Sequence, residues 1–263
     1  MTKLLLVGCG KMGGAMLDGW LSRGLAAADA IVAEPVEALR PKTVRGVTSS
    51  REVKETPEIV VLAVKPQSMD AVLPDLKRFA EAGAVFLSIA AGKTLGYFAG
   101  HLGTGAKIVR SMPNTPAAVR QGITVACASP GVSAAEKKRC QELLEAVGQA
   151  LWVEDESLLD PVTALSGSGP AYVFLLVEAM AAAGAKLGLT PDMAMQLARA
   201  TVAGSGELLR QSSEPASQLR VNVTSPGGTT AEALKVLMAT DGIQPVFDKA
   251  LAAASRRSKE LAG

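Results

Sequence analysis

Six residues close to the start of the chain constrain its fold more than any other feature: Gly8-Cys9-Gly10-Lys11-Met12-Gly13. Directly before them, Leu4-Leu5-Leu6-Val7 has the unbroken apolar character of a buried strand, and the stretch Met12–Arg23 after them has helical spacing. A GxGxxG between a strand and a helix is the arrangement that seats a dinucleotide pyrophosphate. Each glycine has its own task. Gly8 permits the tight turn, Gly10 lets the backbone approach the pyrophosphate, and Gly13 lets helix and strand pack closely. The unpaired N–H groups at the helix start, around Lys11 and Met12, then face the phosphates. The spacing alone also occurs in purely structural turns; the strand before it and the helix after it give the motif its weight.

The rest of the first half keeps the same rhythm. Candidate strands are Leu4–Val7, Ala30–Ala33, Ile59–Val64, Val85–Ile89, Lys107–Arg110, Ile123–Cys127 and Ala150–Val153, with helices expected at Met12–Arg23, Gln67–Ala80 and Ala134–Val147. Continuous apolar strands separated by helices predict a parallel sheet covered on both faces. After about Asp155 the β-branched runs stop, and Ala, Leu, Met and Gly recur at helical spacing. Helices are expected at Leu159–Leu187, Thr190–Gln211, Pro215–Val221, Thr229–Thr240 and Ile243–Leu261, with Thr190 capping Pro191. The expectation is an α/β N-terminal Rossmann-like domain over 1–155 and an all-helical domain over 156–263. A chain of 263 residues has room for both.

Several function classes are set aside. A net charge of +2 leaves no basic footprint for nucleic acid, and Lys137-Lys138-Arg139 reads as a solvated helix face. Cys9, Cys127 and Cys140 are too scattered for a zinc site or a disulfide framework, and no metal is expected. Free thiols fit a reducing cytoplasm. The single histidine, His101, lies beside no nucleophile motif and reads as a surface residue at a helix end. Leu6-Val7-Gly8-Cys9 imitates a lipoprotein site with too few residues ahead of it. Ala171 to Leu189 is apolar, but it carries Glu178 and Lys186; it reads as a buried helix of a soluble protein rather than a membrane span.

Sheets of this kind bind ligands beyond the carboxyl ends of their strands. That rule places Ala63, Val64, Ala90, Ala91 and Met112-Pro113-Asn114 at the nicotinamide end, where small residues admit a flat ring. Lys65-Pro66 ends the same strand, and Lys65 either touches the cofactor ribose or is solvated. Glu34 lies about 20 residues past Gly13, the offset of an acidic ribose ligand. A carboxylate there accepts a bond from the 2′-hydroxyl of NADH and repels the 2′-phosphate of NADPH. Arg40, Lys42 and Arg45 are the cations near enough in sequence to offset it; a solvent-facing Glu34 is the plain alternative. Further on, Gly227-Gly228 lets backbone N–H groups turn toward an anion where the next helix begins.

Six blocks in order resemble the pyrroline-5-carboxylate reductases: the Gly8–Gly13 turn, Ala63-Val64-Lys65-Pro66, Ser88-Ile89-Ala90-Ala91-Gly92, Arg110-Ser111-Met112-Pro113-Asn114-Thr115-Pro116, Ala164–Tyr172, and Val223-Thr224-Ser225-Pro226-Gly227-Gly228-Thr229-Thr230. The last is the most specific. The resemblance spans nearly the whole chain and implies reduction of 1-pyrroline-5-carboxylate to L-proline with NADPH or NADH. It implies that Gly228 and Thr229 give backbone donors to the substrate carboxylate and that Thr230 sets its hydroxyl near the ring nitrogen as the catalytic residue. Val223, Ser225 and Gly227 complete the substrate-binding block, and Ser50 falls at the adenosine pocket. It also implies a homodimer built by exchanging C-terminal helices, commonly assembled further into decamers. The sequence departs from the family at Glu34, where Ser, Thr, Pro or Arg suits a 2′-phosphate. The nearest rival is a β-hydroxyacid dehydrogenase, which needs a lysine early in the interdomain helix, and Pro170 to Val177 contains none. A non-catalytic nicotinamide-binding regulatory module is the rival from another class. Gly184 and Gly188 are spaced for a close helix crossing that suits a dimer.

Overall fold

Strands β1 (Leu4–Val7) and β2 (Ala30–Ala33) are buried at every residue, so neither side of the sheet they form is open to water. The computed structural model, which describes residues 4–262, shows why. β1, β2, β3 (Arg45–Val47), β4 (Ile59–Leu62), β5 (Val85–Ser88), β6 (Lys107–Met112), β7 (Gly122–Ala128) and β8 (Gly148–Trp152) form one sheet in the order β3-β2-β1-β4-β5-β6-β7-β8. Helices α1 (Lys11–Ser22) and α4 (Ala134–Glu145) cover one face: Met16, Leu17, Trp20, Cys140 and Leu144 pack with Leu4 and Leu6. α2 (Met69–Glu81) and α3 (Leu95–Leu102) cover the other, with Leu73, Leu76, Phe79 and Phe98 against Leu5 and Val7. Burying a side chain such as Phe98 contributes about 1.5–3 kcal/mol. β1 pairs in parallel with both β2 and β4, Val7 lying opposite Ala33 on one side and Leu62 on the other. The chain reverses its winding direction there, and the turn after β1 opens at that crevice.

Within the sheet domain the structure corrects the sequence reading in three places. β3 was not foreseen: it has three residues, two of them exposed, and Gly46 in the middle, so it presents no apolar run. α3 was also not among the expected helices, although Thr94 caps it through its hydroxyl. The sheet is not wholly parallel, because β6 and β7 run antiparallel, with Met112 opposite Val125. Only a short link holding the turn Thr115–Val119 joins them, and a parallel pair needs a crossover of a dozen or more residues. α4 begins with a capping box between Ser133 and Glu136. Burial alone would raise the Glu136 carboxyl, but Lys107 at 2.7 Å and the Ser133 hydroxyl and N–H outweigh it and hold it at about 2. Lys137 and Arg139 pair with Glu154 and Glu58, which makes the basic cluster a solvated, ion-paired face. His101, in the last turn of α3, contacts the Tyr97 carbonyl and Asp70.

The described chain forms two compact units, one running to Ser168 and joined by residues from Ala254 on, the other spanning Gly169 to Ala253. The first continues past the change of texture at Asp155 because Leu159, fully buried, packs with Val125 and Cys127. α5 (Leu159–Val162) runs into a π-helical turn, Thr163–Gly167, and near the C-terminus the Ser258 hydroxyl bonds to Asp160 at 2.7 Å.

The second unit holds α6 (Gly169–Lys186), α7 (Pro191–Gln211), α8 (Ala216–Asn222), α9 (Thr229–Leu237) and most of α10 (Ile243–Ala262). Thr190 caps α7 as its sequence predicts, accepting from the Met193 N–H. Gly184 faces Leu189 and Ala194 of its own chain and serves the α6–α7 hairpin, while Gly188, at φ +101°, makes its turn. The unit's buried core is small: Ala181, Ala194 and Ala198, with Val177 and Ala185 against them. α6 was expected to be buried. In the single chain, the apolar window within Glu156–Lys186 is only 6% buried, and Phe174 and Leu175 stand in solvent. That stretch is long and apolar enough, by length and composition, to cross a membrane.

Candidate active site

The glycines of the turn after β1 fall into distinct physical roles. Gly8 has φ +90°, and a Cβ there would lie 2.9 Å from the backbone carbon and oxygen of Ala63. A Cβ on Gly13 would lie 2.5 Å from the Gly8 oxygen. These two positions hold β1, α1 and the end of β4 together. Gly10 is different: nothing lies within 4 Å of where its Cβ would be. It is the N-cap of α1 and provides no side-chain cap, and Lys11 beside it is exposed. The N–H groups of the first turn of α1 therefore meet open space, a cradle for an anion that any side chain at Gly10 would fill. This arrangement fits a pyrophosphate.

At the end of β2, Glu34 is 6% exposed, which rules out the solvent-facing alternative. Its Oε2 accepts the Cys9 N–H at 2.8 Å and its Oε1 the Val36 N–H at 2.9 Å. The carboxylate thus fastens the glycine turn to the second strand. Burial raises the Cys9 thiol, and the charges of Glu34 and Asp18 raise it further, so it is no nucleophile. Arg45 pairs with Glu55 at 2.5 Å, and the stem of Arg40 packs where a Gly46 side chain would sit. Ser50 is buried, and its carbonyl accepts from Arg78 at 2.9 Å.

The strand ends expected at the nicotinamide position do lie in adjacent, paired strands. Ala63 and Val64 follow β4, with the Ala63 N–H bonded to the Val7 carbonyl; Lys65 is exposed and Pro66 opens a short 3-10 turn. Ala90 and Ala91 follow β5, where the Ser88 hydroxyl accepts the Ala90 N–H and the Ser88 carbonyl accepts the Ser111 hydroxyl. Met112 ends β6, and a side chain on Gly167 would collide with it. Pro113 is buried. Asn114 is committed to the protein itself: its Oδ1 accepts the Ile123 N–H at 2.9 Å and its Nδ2 donates to the Ser166 carbonyl at 3.3 Å. It positions the loop through backbone groups.

One interaction beneath these loops was missed. Arg110, 5% exposed, donates to Glu156 Oε1 at 2.8 Å, and the same oxygen accepts the Leu95 N–H at 2.8 Å. An arginine directly after Ile108-Val109 in the strand Lys107–Met112 was the signal, since a buried charge requires a partner.

In the helical unit, Val223-Thr224-Ser225-Pro226-Gly227-Gly228 forms the turn into α9. Gly227 has φ +70°, and Gly228 is an N-cap without a side-chain cap. The Gly228 N–H donates to the Ser225 carbonyl at 3.0 Å, so the turn itself uses that donor. The N–H groups behind it, at Thr229 and Thr230, head the helix, with the Thr230 side chain half-buried.

A doubly wound sheet carrying an open glycine cradle at its switch point, followed by a helical unit, defines a two-domain oxidoreductase of the nicotinamide-dinucleotide class. Residues 156–261 match the family model for pyrroline-5-carboxylate reductase dimerisation, and 3–92 match a model described as NADP oxidoreductase, coenzyme F420-dependent. The pyrroline-5-carboxylate reductase of Pseudomonas aeruginosa is 40% identical over 99% of this chain and 97% of its own length; that of Mycobacterium leprae is 39% identical over the same shares. Among solved structures, the Coxiella burnetii enzyme superposes with a TM-score of 0.94 at 35% identity, covering 100% of this chain and 99% of that one. The Plasmodium falciparum enzyme, with NADP bound, gives 0.85 at 31% identity over 100% and 98%. The chain belongs to the pyrroline-5-carboxylate reductase family.

Proposed function

We propose that this chain reduces 1-pyrroline-5-carboxylate to L-proline by hydride transfer from NADPH or NADH, the last step of proline biosynthesis. The observation that carries the reading is the uncapped start of α9 within the Val223–Thr230 block. Free N–H groups at the positive end of a helix suit a carboxylate. Thr229 donates to it through the backbone, while Val223, Ser225, Gly227 and Gly228 shape the turn that presents those donors. A dinucleotide held by its pyrophosphate at the Gly8–Gly13 turn would supply the hydride from its nicotinamide. The substrate reacts as its protonated iminium: hydride adds to the C=N carbon, the π pair moves onto nitrogen, and a neutral ring amine remains. No strong acid is needed, so the protein's work is positioning. Thr230 orients the ring nitrogen with its hydroxyl. Ala63, Val64, Ala90, Ala91, Met112 and Pro113 form the wall for the flat ring; Asn114 holds that wall, Lys65-Pro66 ends the same strand with Lys65 toward a cofactor ribose, and Ser50 borders the adenosine half.

The apolar surfaces left bare on the helical unit support a homodimer through the C-terminal helices, with decamers as the further assembly, and three unpaired, buried cysteines accord with a cytoplasmic protein. The start of the dimerisation-family match at residue 156 supports a domain boundary near Asp155, ahead of the break between the two compact units after Ser168. The deciding assay follows loss of reduced nicotinamide with pyrroline-5-carboxylate and with no substrate, and gain of reduced nicotinamide when the oxidised cofactor meets 3-hydroxyacids. Turnover only with the cyclic imine is expected. Turnover with the hydroxyacids points to the alcohol dehydrogenase rival, and none at all to a regulatory module. Thr230→Ala should lower kcat/KM roughly tenfold, the scale of one hydrogen bond; unchanged kinetics remove Thr230 from the mechanism.

A further inference from the structure

We infer that Glu34 makes this chain selective for NADH over NADPH, as a buried carboxylate locked in place where a 2′-phosphate would have to sit. The inference rests on the dinucleotide reading of the Gly8–Gly13 turn and goes beyond it by naming which of the two cofactors fits. Position is the first argument. Glu34 is the residue immediately after β2, and its own N–H continues the ladder to the Val47 carbonyl at 3.0 Å. In a sheet of this winding, the acid at that point faces the ribose of the adenosine half.

Rigidity is the second. A glutamate on a mobile loop can swing aside for a phosphate. This one cannot do so freely, because it is 6% exposed and accepts the Cys9 N–H and the Val36 N–H, one on each oxygen. Moving it would leave two backbone donors unpaired, one of them within the glycine turn that binds the pyrophosphate. The carboxylate still has acceptor capacity, since two oxygens offer about four lone-pair sites. A ribose hydroxyl can donate to it. A 2′-phosphate has little to donate and brings negative charge instead.

Missing compensation is the third. Among the described residues, no lysine or arginine forms an ion pair with Glu34. Arg45 is held by Glu55 at 2.5 Å. The Arg40 stem packs against Gly46 with its Nε buried, and among the described residues neither Arg40 nor Lys42 bonds to Glu34, whose partners are the Cys9 and Val36 N–H groups.

The test is equilibrium binding of each reduced nucleotide alone, read by nicotinamide fluorescence on the full-length protein without substrate. NADH should bind at least about tenfold more tightly than NADPH, the effect of one close like charge partly screened by water. Glu34→Gln keeps an acceptor for the turn and removes the charge; it should bring the two affinities to within about threefold of each other, with the melting temperature of the free protein reporting that the turn survives. Glu34→Ser should favour NADPH. Equal or tighter NADPH binding by the unaltered protein overturns the inference while leaving the dinucleotide site intact. So does a Gln variant that folds and keeps the full NADH preference. Binding of neither nucleotide overturns the underlying reading as well.

Discussion

Glu156→Ala should cost about 3–5 kcal/mol of folding stability, the penalty for stripping the partner from a buried charge. Arg110 is 5% exposed on β6, and Glu156 is the only carboxylate paired with it among the described residues. The same Glu156 oxygen accepts the Leu95 N–H at the start of α3. The truncation thus leaves a guanidinium and a backbone donor without a partner at one stroke, and it unties β6, α3 and the segment leading into α5. Urea unfolding at fixed protein concentration is the measurement, with the change taken from the midpoint at constant slope. A loss below about 1 kcal/mol would mean that Arg110 finds water or another acceptor. The double change Arg110→Met with Glu156→Leu separates the two ideas. It should recover much of the loss, because apolar groups of similar size replace a buried ion pair at little cost.

The second large effect is a contrast between two glycines two residues apart. Gly10→Val should leave the fold nearly untouched, since no atom lies within 4 Å of the added Cβ and the backbone, at φ −69°, is open to any residue. What the valine occupies is the space above the start of α1. Nucleotide affinity should fall about 10- to 100-fold, the equivalent of 1–3 kcal/mol of overpacking against the ligand. Gly8→Ala should instead damage both properties. Its φ of +90° disfavours any side chain, and its Cβ would press on the Ala63 backbone at 2.9 Å, which has no freedom to yield. Paired melting curves and nucleotide titrations decide the matter. If Gly10→Val loses stability and keeps affinity, the cradle is structural and the cofactor sits elsewhere.

Much of this architecture is legible from residue order, for reasons that differ by element. β1 and β2 match their expected limits because four apolar residues, bounded by Lys3 and the Gly8 turn in β1 and by Asp29 and Glu34 in β2, leave no freedom in placing a strand. β3 escapes because Arg45-Gly46-Val47 buries one side chain and gains its place from pairing with β2, a neighbour that local pattern does not reveal. The antiparallel β6–β7 pair escapes for a related reason. Apolar periodicity marks a strand but carries no direction, and only the shortness of the link would have betrayed it. At the site, spacing alone predicts an acidic ribose ligand at Glu34, yet the two N–H groups that immobilise it come from residues 25 and two positions away. Asn114 shows the opposite error. The strand-end rule puts it beside a ring pocket as a ligand-facing residue, whereas its amide is committed to Ile123 and Ser166. The threonines of α9 are expected at the site only through the family's signature block, since a helix start looks the same whatever it binds. Gly184 and Gly188 invited an intersubunit crossing, whereas the nearest partners of Gly184 lie in the hairpin it helps to fold.

The helical unit has a further consequence. Three alanines are its buried core, while leucines, methionines and two phenylalanines stay wet in the lone chain. Such an interior releases too little water to offset the entropy of ordering five helices. Its folding free energy must then be borrowed from association, so simple dilution should work on this protein as a mild denaturant, with a thermal midpoint that climbs as the solution is concentrated.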